Sequence, residues 1–301
     1  MNFLTGVDLS EASTTVTERD WTKPISESQT GVAKAYSQVP LLYTGAVIIG
    51  HHIGTVGAER AQVRVASGVY IVLDGTPLLV ISDHVLDVYE SFIREDDRAL
   101  FQFGDEQLRP LDRLISRSSK SDIATLNLSG LNPTRLSAPL SASLGLNVKS
   151  DASPPMPPLT AYAPSRWPPT DVVEQDVVFI GGFPEQTMRL TDDGWGLSHQ
   201  PFTIAGAIVT SLTAYPPAFK CRYEVGEATV LFTDDRHISG QPGANVMPTD
   251  FSGMSGCPVF RDPGPNGIAM DLIGFVRSGQ PTLGTLDCTA ATNIHLDGKV
   301  D

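Results

Sequence analysis

The sequence predicts an all-β protein, built as barrels or sandwiches. Three observations carry this: β-prone runs recur along most of the chain, turns rich in Gly, Pro and Asp separate them, and helical periodicity is scarce. At 301 residues the chain is long enough to divide a large core between two packed units. Hydrophobic residues make up 41% and charged residues 18%, a globular composition, not a disordered one.

Residues 1–40 read as a polar, irregular extension. Their one periodic stretch is 28–39, where Val32, Ala35, Tyr36 and Val39 share a helix face. Strand texture begins in 41–49, which is mostly apolar, and continues in 61–65, which alternates. Residues 68–81, GVYIVLDGTPLLVI, place two β-prone runs either side of Asp74-Gly75, a strong hairpin signal. Ser82-Asp83-His84 follows the second run. Val85, Val88, Tyr89, Phe92 and Ile93 then form the apolar stripe of a short helix, so His84 stands where strand passes to helix. Further strands are expected at 100–103, 111–115 and 123–128, the last directly preceded by Asp122.

Residues 151–170 hold seven prolines: 154, 155, 157, 158, 164, 168 and 169. That density excludes helix and central strand and suits an extended connector. Strands resume at 176–180, 202–212, 221–232 and 270–276. The expected organisation is an extension over 1–40, a β unit over 41–150, a connector over 151–170 and a second β unit over 171–301.

The candidate chemistry centres on residues 251–260, FSGMSGCPVF. Glycines before and after Ser255 allow a turn so tight that the hydroxyl is presented outward, with the N–H groups of Gly253 and Ser255 aimed at one spot. Acyl transfer needs that pairing of a nucleophile with oxyanion donors. The same residues also suit a plain Gly/Ser turn between strands. A base and an orienting acid elsewhere decide between the two, and His84 and Asp122 are available.

With His84, Asp122 and Ser255 in that order, the chain resembles the trypsin/chymotrypsin-like serine peptidases in their intracellular or bacterial variety. The matching pieces are GVYIVLDGTPLLVISDHV, SDIATL, GGFP, FSGMSGCPVF and DLIGFVRSG, together covering about residues 41–295. The resemblance implies two six-stranded antiparallel barrels with the active site in the cleft between them. It implies that Ser255 is the nucleophile, His84 its base and Asp122 the group orienting the imidazole, with Gly253 and Ser255 forming the oxyanion hole. It places Thr249 at the base of a substrate pocket, and Val276 and Gly279 on its wall. A neutral Thr249 favours cleavage after an uncharged side chain, although neighbouring Asp250 leaves a basic one open.

The chain departs from that pattern in places. Asp83 beside His84 could compete for the imidazole. Arg277 either pairs with Asp122 or stands one residue out of register. Met254 cannot pair with an ammonium freed by zymogen cleavage, and no matching N-terminal start is present. A constitutive enzyme, or one triggered by an activating protein partner, is therefore expected.

The net charge of −13, with no basic cluster, argues against nucleic acid and anionic membranes as partners. No apolar run is long enough to span a bilayer. The N-terminus lacks the basic and apolar regions of a signal peptide. Cys221, Cys257 and Cys288 include no C-x-x-C pair, which points to a reducing, cytoplasmic compartment. No cofactor or metal is expected: His51 and His52 would face opposite sides of a strand. Cys257 is the rival nucleophile, but Ser255 occupies the matching position. An α/β-hydrolase needs its His after the Ser, and only His295 follows, with too little chain between for that fold. The alternative from another class is a catalytically silent peptidase-fold module that binds or regulates. Its proposed rival is a serine endopeptidase acting on polypeptides.

Overall fold

The computed structural model describes residue 36 and residues 39–50, 63–104, 106–136, 159–190, 197–199, 202–223, 251–264 and 269–301. Two antiparallel β units follow one another, with few and short helices, as expected for a chymotrypsin-like chain.

The first unit contains β1 (Thr44–Gly50), β2 (Val63–Leu73), β3 (Thr76–Ile81), α1 (Asp83–Glu95), β4 (Leu100–Phe103), β5 (Glu106–Gln107), α2 (Pro110–Arg113), β6 (Leu114–Ser118), β7 (Ile123–Asn127) and α3 (Pro133–Leu136). Its sheet has seven strands in the order β5-β4-β1-β2-β3-β7-β6. It differs from a closed six-stranded barrel in that no ladder among the described residues joins β5 to β6. β5 is only two residues long and α2 follows closely, so there is little backbone to close the ring. One apolar cluster still spans both edges, from Phe101 and Leu108 to Leu114 and Leu126.

The hairpin between β2 and β3 turns on Asp74 and Gly75, both at positive φ (46° and 76°), which matches the twist of the strands. The strand expected at 111–115 is instead helix α2 running into β6. Pro110 sits in the first turn of α2, where its missing N–H costs nothing.

The second unit is a closed barrel. After β8 (Val177–Gly182) and a small ribbon of β9 (Met188–Leu190) and β10 (Leu197–His199), it contains β11 (Phe202–Ala214), β12 (Pro217–Arg222), β13 (Pro258–Arg261), β14 (Asp271–Gln280) and β15 (Thr285–Ala290). The ring runs β11-β12-β15-β14-β13-β8. Its interior includes all three cysteines, each a free buried thiol.

β2 and β3 read as continuous apolar runs because both of their faces are covered. Tyr70, Leu79 and Ile81 point into the first unit's core. Val69, Ile71, Leu73, Leu78 and Val80 instead meet Phe179, Phe260, Leu272 and Phe275 of the barrel. Residues 28–35 of the expected helix lie outside the described residues, but Tyr36 and residues 39–43 are helical. Tyr36 packs edge-on against Phe179. The described end of the Pro-rich connector runs beside β2, where Tyr162 exchanges backbone hydrogen bonds with Tyr70 and Val72. Among the described residues no helix is long and apolar enough to cross a membrane.

Candidate active site

His84 is the second residue of α1, set immediately beyond β3. The first amides of a helix have no intrahelical acceptor, and the helix dipole favours an anion there. Asp122 supplies that anion. Its Oδ1 accepts the His84 backbone N–H at 3.1 Å, and its two oxygens lie 3.0 and 2.9 Å from His84 Nδ1. One buried carboxylate thus caps the helix and orients the imidazole. A carboxylate can only accept, so Nδ1 carries the proton and Nε2 keeps its lone pair. The Asp122 hydrogen bond holds His84 above the usual imidazole pKa of 6.5; burial opposes this, while the charges of Asp122, Asp87 and Asp83 add to it.

Asp122 closes the turn between β6 and β7 at φ 54°, a left-handed conformation that Asp tolerates better than most residues. Its neighbour Ser121 is held from elsewhere: Thr289 of β15 donates to the Ser121 carbonyl at 2.6 Å, and the Ser121 hydroxyl donates to the Asp301 carbonyl at 3.1 Å.

Asp83 does not compete for the imidazole. It is only 2% exposed and is paired with Arg117 of β6, which also binds Asp87 and Glu90 on the same helix. Arg277 comes within 4.0 Å of Asp122 Oδ2. It occupies a bulge in β14, where the pairing with β15 slips between Val276 and Ser278. Bulges re-aim side chains, and this one turns Arg277 toward the cleft.

Ser255 lies in the turn before β13, flanked by Gly253 (φ 88°) and Gly256 (φ 87°). A Cβ at Gly256 would lie 2.2 Å from the Ser67 carbonyl oxygen, and one at Gly253 would lie 2.5 Å from the Glu185 nitrogen. Both glycines are therefore required by conformation and by space. Every carbonyl from residue 252 to 255 accepts a hydrogen bond: Ser252 from Glu185 N–H, Gly253 from the Ser67 hydroxyl, Met254 from Cys257 N–H and Ser255 from Ser67 N–H. The N–H groups of Met254 and Gly256 are also used. Those of Gly253 and Ser255 make no hydrogen bond among the described residues. These are the two donors the sequence singled out.

Asp83, His84, Asp122, Ser255, Arg277 and Gly279 are among the residues that line one cleft of about 500 Å³ between the units. The structure thus brings His84, Asp122 and Ser255 to a shared surface. The Ser255 hydroxyl donates to the Arg277 carbonyl at 3.2 Å and is not hydrogen-bonded to His84. Of the expected pocket residues, Gly279 lines the cleft, against Phe251. Val276, expected on the pocket wall, is instead 1% exposed and packs into the barrel core with Ile273 and Leu286, so it does not line the cleft. Thr249 lies outside the described residues, as do His51 and His52. Cys257 is fully buried, and burial pushes its thiol up to about 12, far from a reactive thiolate at neutral pH. Among the described residues no cluster of His, Cys, Asp or Glu could hold a metal ion.

Ser67 is the site residue that sequence reasoning missed. The only local hint is a buried-strand hydroxyl among Val65, Ala66, Val69 and Ile71, on the face of β2 that meets the barrel.

No family model matches the chain, and no curated protein does. Among solved structures it is similar to a scabies mite inactivated protease paralogue (14% identity, TM-score 0.37, 85% of this chain and 91% of that one). It is also similar to a thermostable serine protease from an extremophilic microorganism (13% identity, TM-score 0.36, 84% and 92%). At this distance the likeness does not bear on activity.

Proposed function

We infer that the chain is a serine endopeptidase, hydrolysing peptide bonds through an acyl-enzyme on Ser255. The observation that carries this reading is the coincidence, in one cleft, of an Asp-anchored imidazole and a serine hydroxyl, beside a turn whose Gly253 and Ser255 N–H groups have no acceptor among the described residues. A serine hydroxyl is a weak nucleophile at neutral pH unless a base removes its proton. His84 Nε2 is that base, because Nδ1 is committed to Asp122. Rotation of the Ser255 hydroxyl from the Arg277 carbonyl toward Nε2 starts the reaction. His84 takes the proton as the oxygen attacks the carbonyl carbon, and Asp122 stabilises the imidazolium. The Gly253 and Ser255 N–H groups receive the developing oxyanion. His84 then protonates the leaving amine, and water repeats the sequence to free the acid.

A second reading, a silent peptidase-fold module that binds or regulates, is favoured by one observation: the Ser255 hydroxyl is bonded to the Arg277 carbonyl and not to His84. A fluorophosphonate probe and a peptide library separate the two. Labelling and cleavage that vanish in both Ser255→Ala and His84→Ala, and that withstand chelators, support the endopeptidase. A folded wild-type chain that stays unlabelled and cuts nothing, with candidate activators present, supports the module.

A further inference from the structure

The structure assigns a positioning role to β2 of the first unit: Ser67, assisted by the Arg64–Glu185 ion pair, holds the Ser255 turn in its working conformation. This rests on the endopeptidase reading and adds a residue to it. Ser67 is 0% exposed and bonds with both its N–H and its hydroxyl. The N–H donates to the Ser255 carbonyl at 3.1 Å, and the hydroxyl donates to the Gly253 carbonyl at 2.7 Å. The same hydroxyl accepts the Phe183 N–H at 3.0 Å, so all its strong bonds are directional and spoken for. No charged side chain does this work from within the turn, where Met254 is apolar and buried.

The consequence follows from peptide planarity. In a trans peptide the C=O and N–H point in opposite directions, so fixing a carbonyl fixes the donor that shares its plane. Glu185 N–H holds the Ser252 carbonyl at 2.6 Å, which turns the Gly253 N–H the other way. Arg64 Nη1 holds the Glu185 side chain at 3.0 Å from the neighbouring unit. The Ser255 donor shares its plane with the Met254 carbonyl, which Cys257 N–H holds. Ser67 acts one peptide further on: it holds 253–254 and 255–256, and so restrains the backbone on the C-terminal side of each donor. Two glycines at positive φ would otherwise leave this turn several conformations of similar energy. Ser67 also ties the nucleophile to the unit that carries His84, because β2 pairs with β3 and β3 leads into α1.

Substrate binding does not require the donors to be aligned, whereas the tetrahedral transition state does. Ser67→Ala is therefore expected to lower kcat per titrated active site about 10- to 100-fold, with KM within about twofold. The Ki of a peptide trifluoromethyl ketone, which mimics the oxyanion, should rise by the same factor. Ser67→Thr keeps the hydroxyl and should recover most of the lost kcat. Unchanged kcat in Ser67→Ala overturns the inference, as does an equal loss in Ser67→Ala and Ser67→Thr. If the alanine variant does not fold, Arg64→Ala tests the exposed end of the clamp. A loss of about threefold in kcat at constant KM supports the role, since exposed ion pairs are weak, and no loss overturns it. A folded wild-type chain without hydrolysis fails the endopeptidase reading and this inference together. An active wild type with unaffected variants fails the inference alone.

Discussion

Asp122 does three things with one carboxylate, and each constrains the others. It accepts the His84 amide in the first turn of α1, it fixes the His84 tautomer, and it raises the imidazole pKa. Because the folded-state pKa lies above that of the unfolded chain, this pairing stabilises the fold fully below the unfolded value. That contribution is lost as pH rises through the raised His84 value. The proposed catalysis runs the opposite way, because in it only neutral His84 can accept the Ser255 proton. The rate is therefore expected to climb with pH, with a midpoint in kcat/KM above 6.5. Asp122→Asn should move that midpoint down and reduce kcat by about ten-thousandfold, because an amide can hold the wrong tautomer. A pH–rate profile of both proteins checks this, and an unmoved midpoint in the variant would remove Asp122 from the mechanism. His84, Asp122 and Ser255 were legible in sequence only as a set, through their order and the family resemblance of the motifs around them; each alone also suits a plain junction or turn. Arg277 was half legible, since a bulge cannot be read from one strand without its partner.

α1 shows how an element is aimed. Its apolar stripe, including Val85, Tyr89 and Phe92, faces the first unit's core, as the periodicity predicts. Asp83, Asp87 and Glu90 form a second stripe, and Arg117 of β6 binds all three. Since β6 leads into the Asp122 turn, this clamp fixes the angle between that turn and the helix that carries His84. Arg117→Met should destabilise the protein by about 3 kcal/mol in urea unfolding, because Asp83 is buried and would lose its cation. Arg117→Lys should fall between, since an ammonium cannot make the planar three-way fork. A change below about 0.5 kcal/mol would show that water replaces the guanidinium freely. The sequence showed the apolar stripe but not the acidic one, because its partner lies on a strand whose register depends on the whole sheet. β13 and β15 also escaped notice: β13 lies inside the Ser255 motif, and β15 is a short run ringed by 3₁₀ turns.

The two units act as one molecule because the cleft borrows parts from both. His84 and Asp122 stand on the first, Ser255 on the second, and Ser67 reaches a turn 186 residues away in sequence. Such long-range bonds end on backbone carbonyls, which every residue has, so no sequence pattern announces them. Thr289 offers the cleanest test of this coupling. It belongs to the barrel, is 2% exposed, and donates its hydroxyl to the Ser121 carbonyl beside Asp122. Thr289→Val keeps the shape and leaves that carbonyl unpaired, at an expected cost of about 1–3 kcal/mol. If the units unfold together, the whole denaturation curve should move to lower urea as a single transition, with circular dichroism and tryptophan fluorescence coincident. The slope should not change, because the surface exposed on unfolding is the same. Two separated transitions in the variant would mean that the units are independently stable bodies, and that the Ser121 contact, rather than the apolar seam of Val69, Ile71, Phe260 and Leu272, holds them in register.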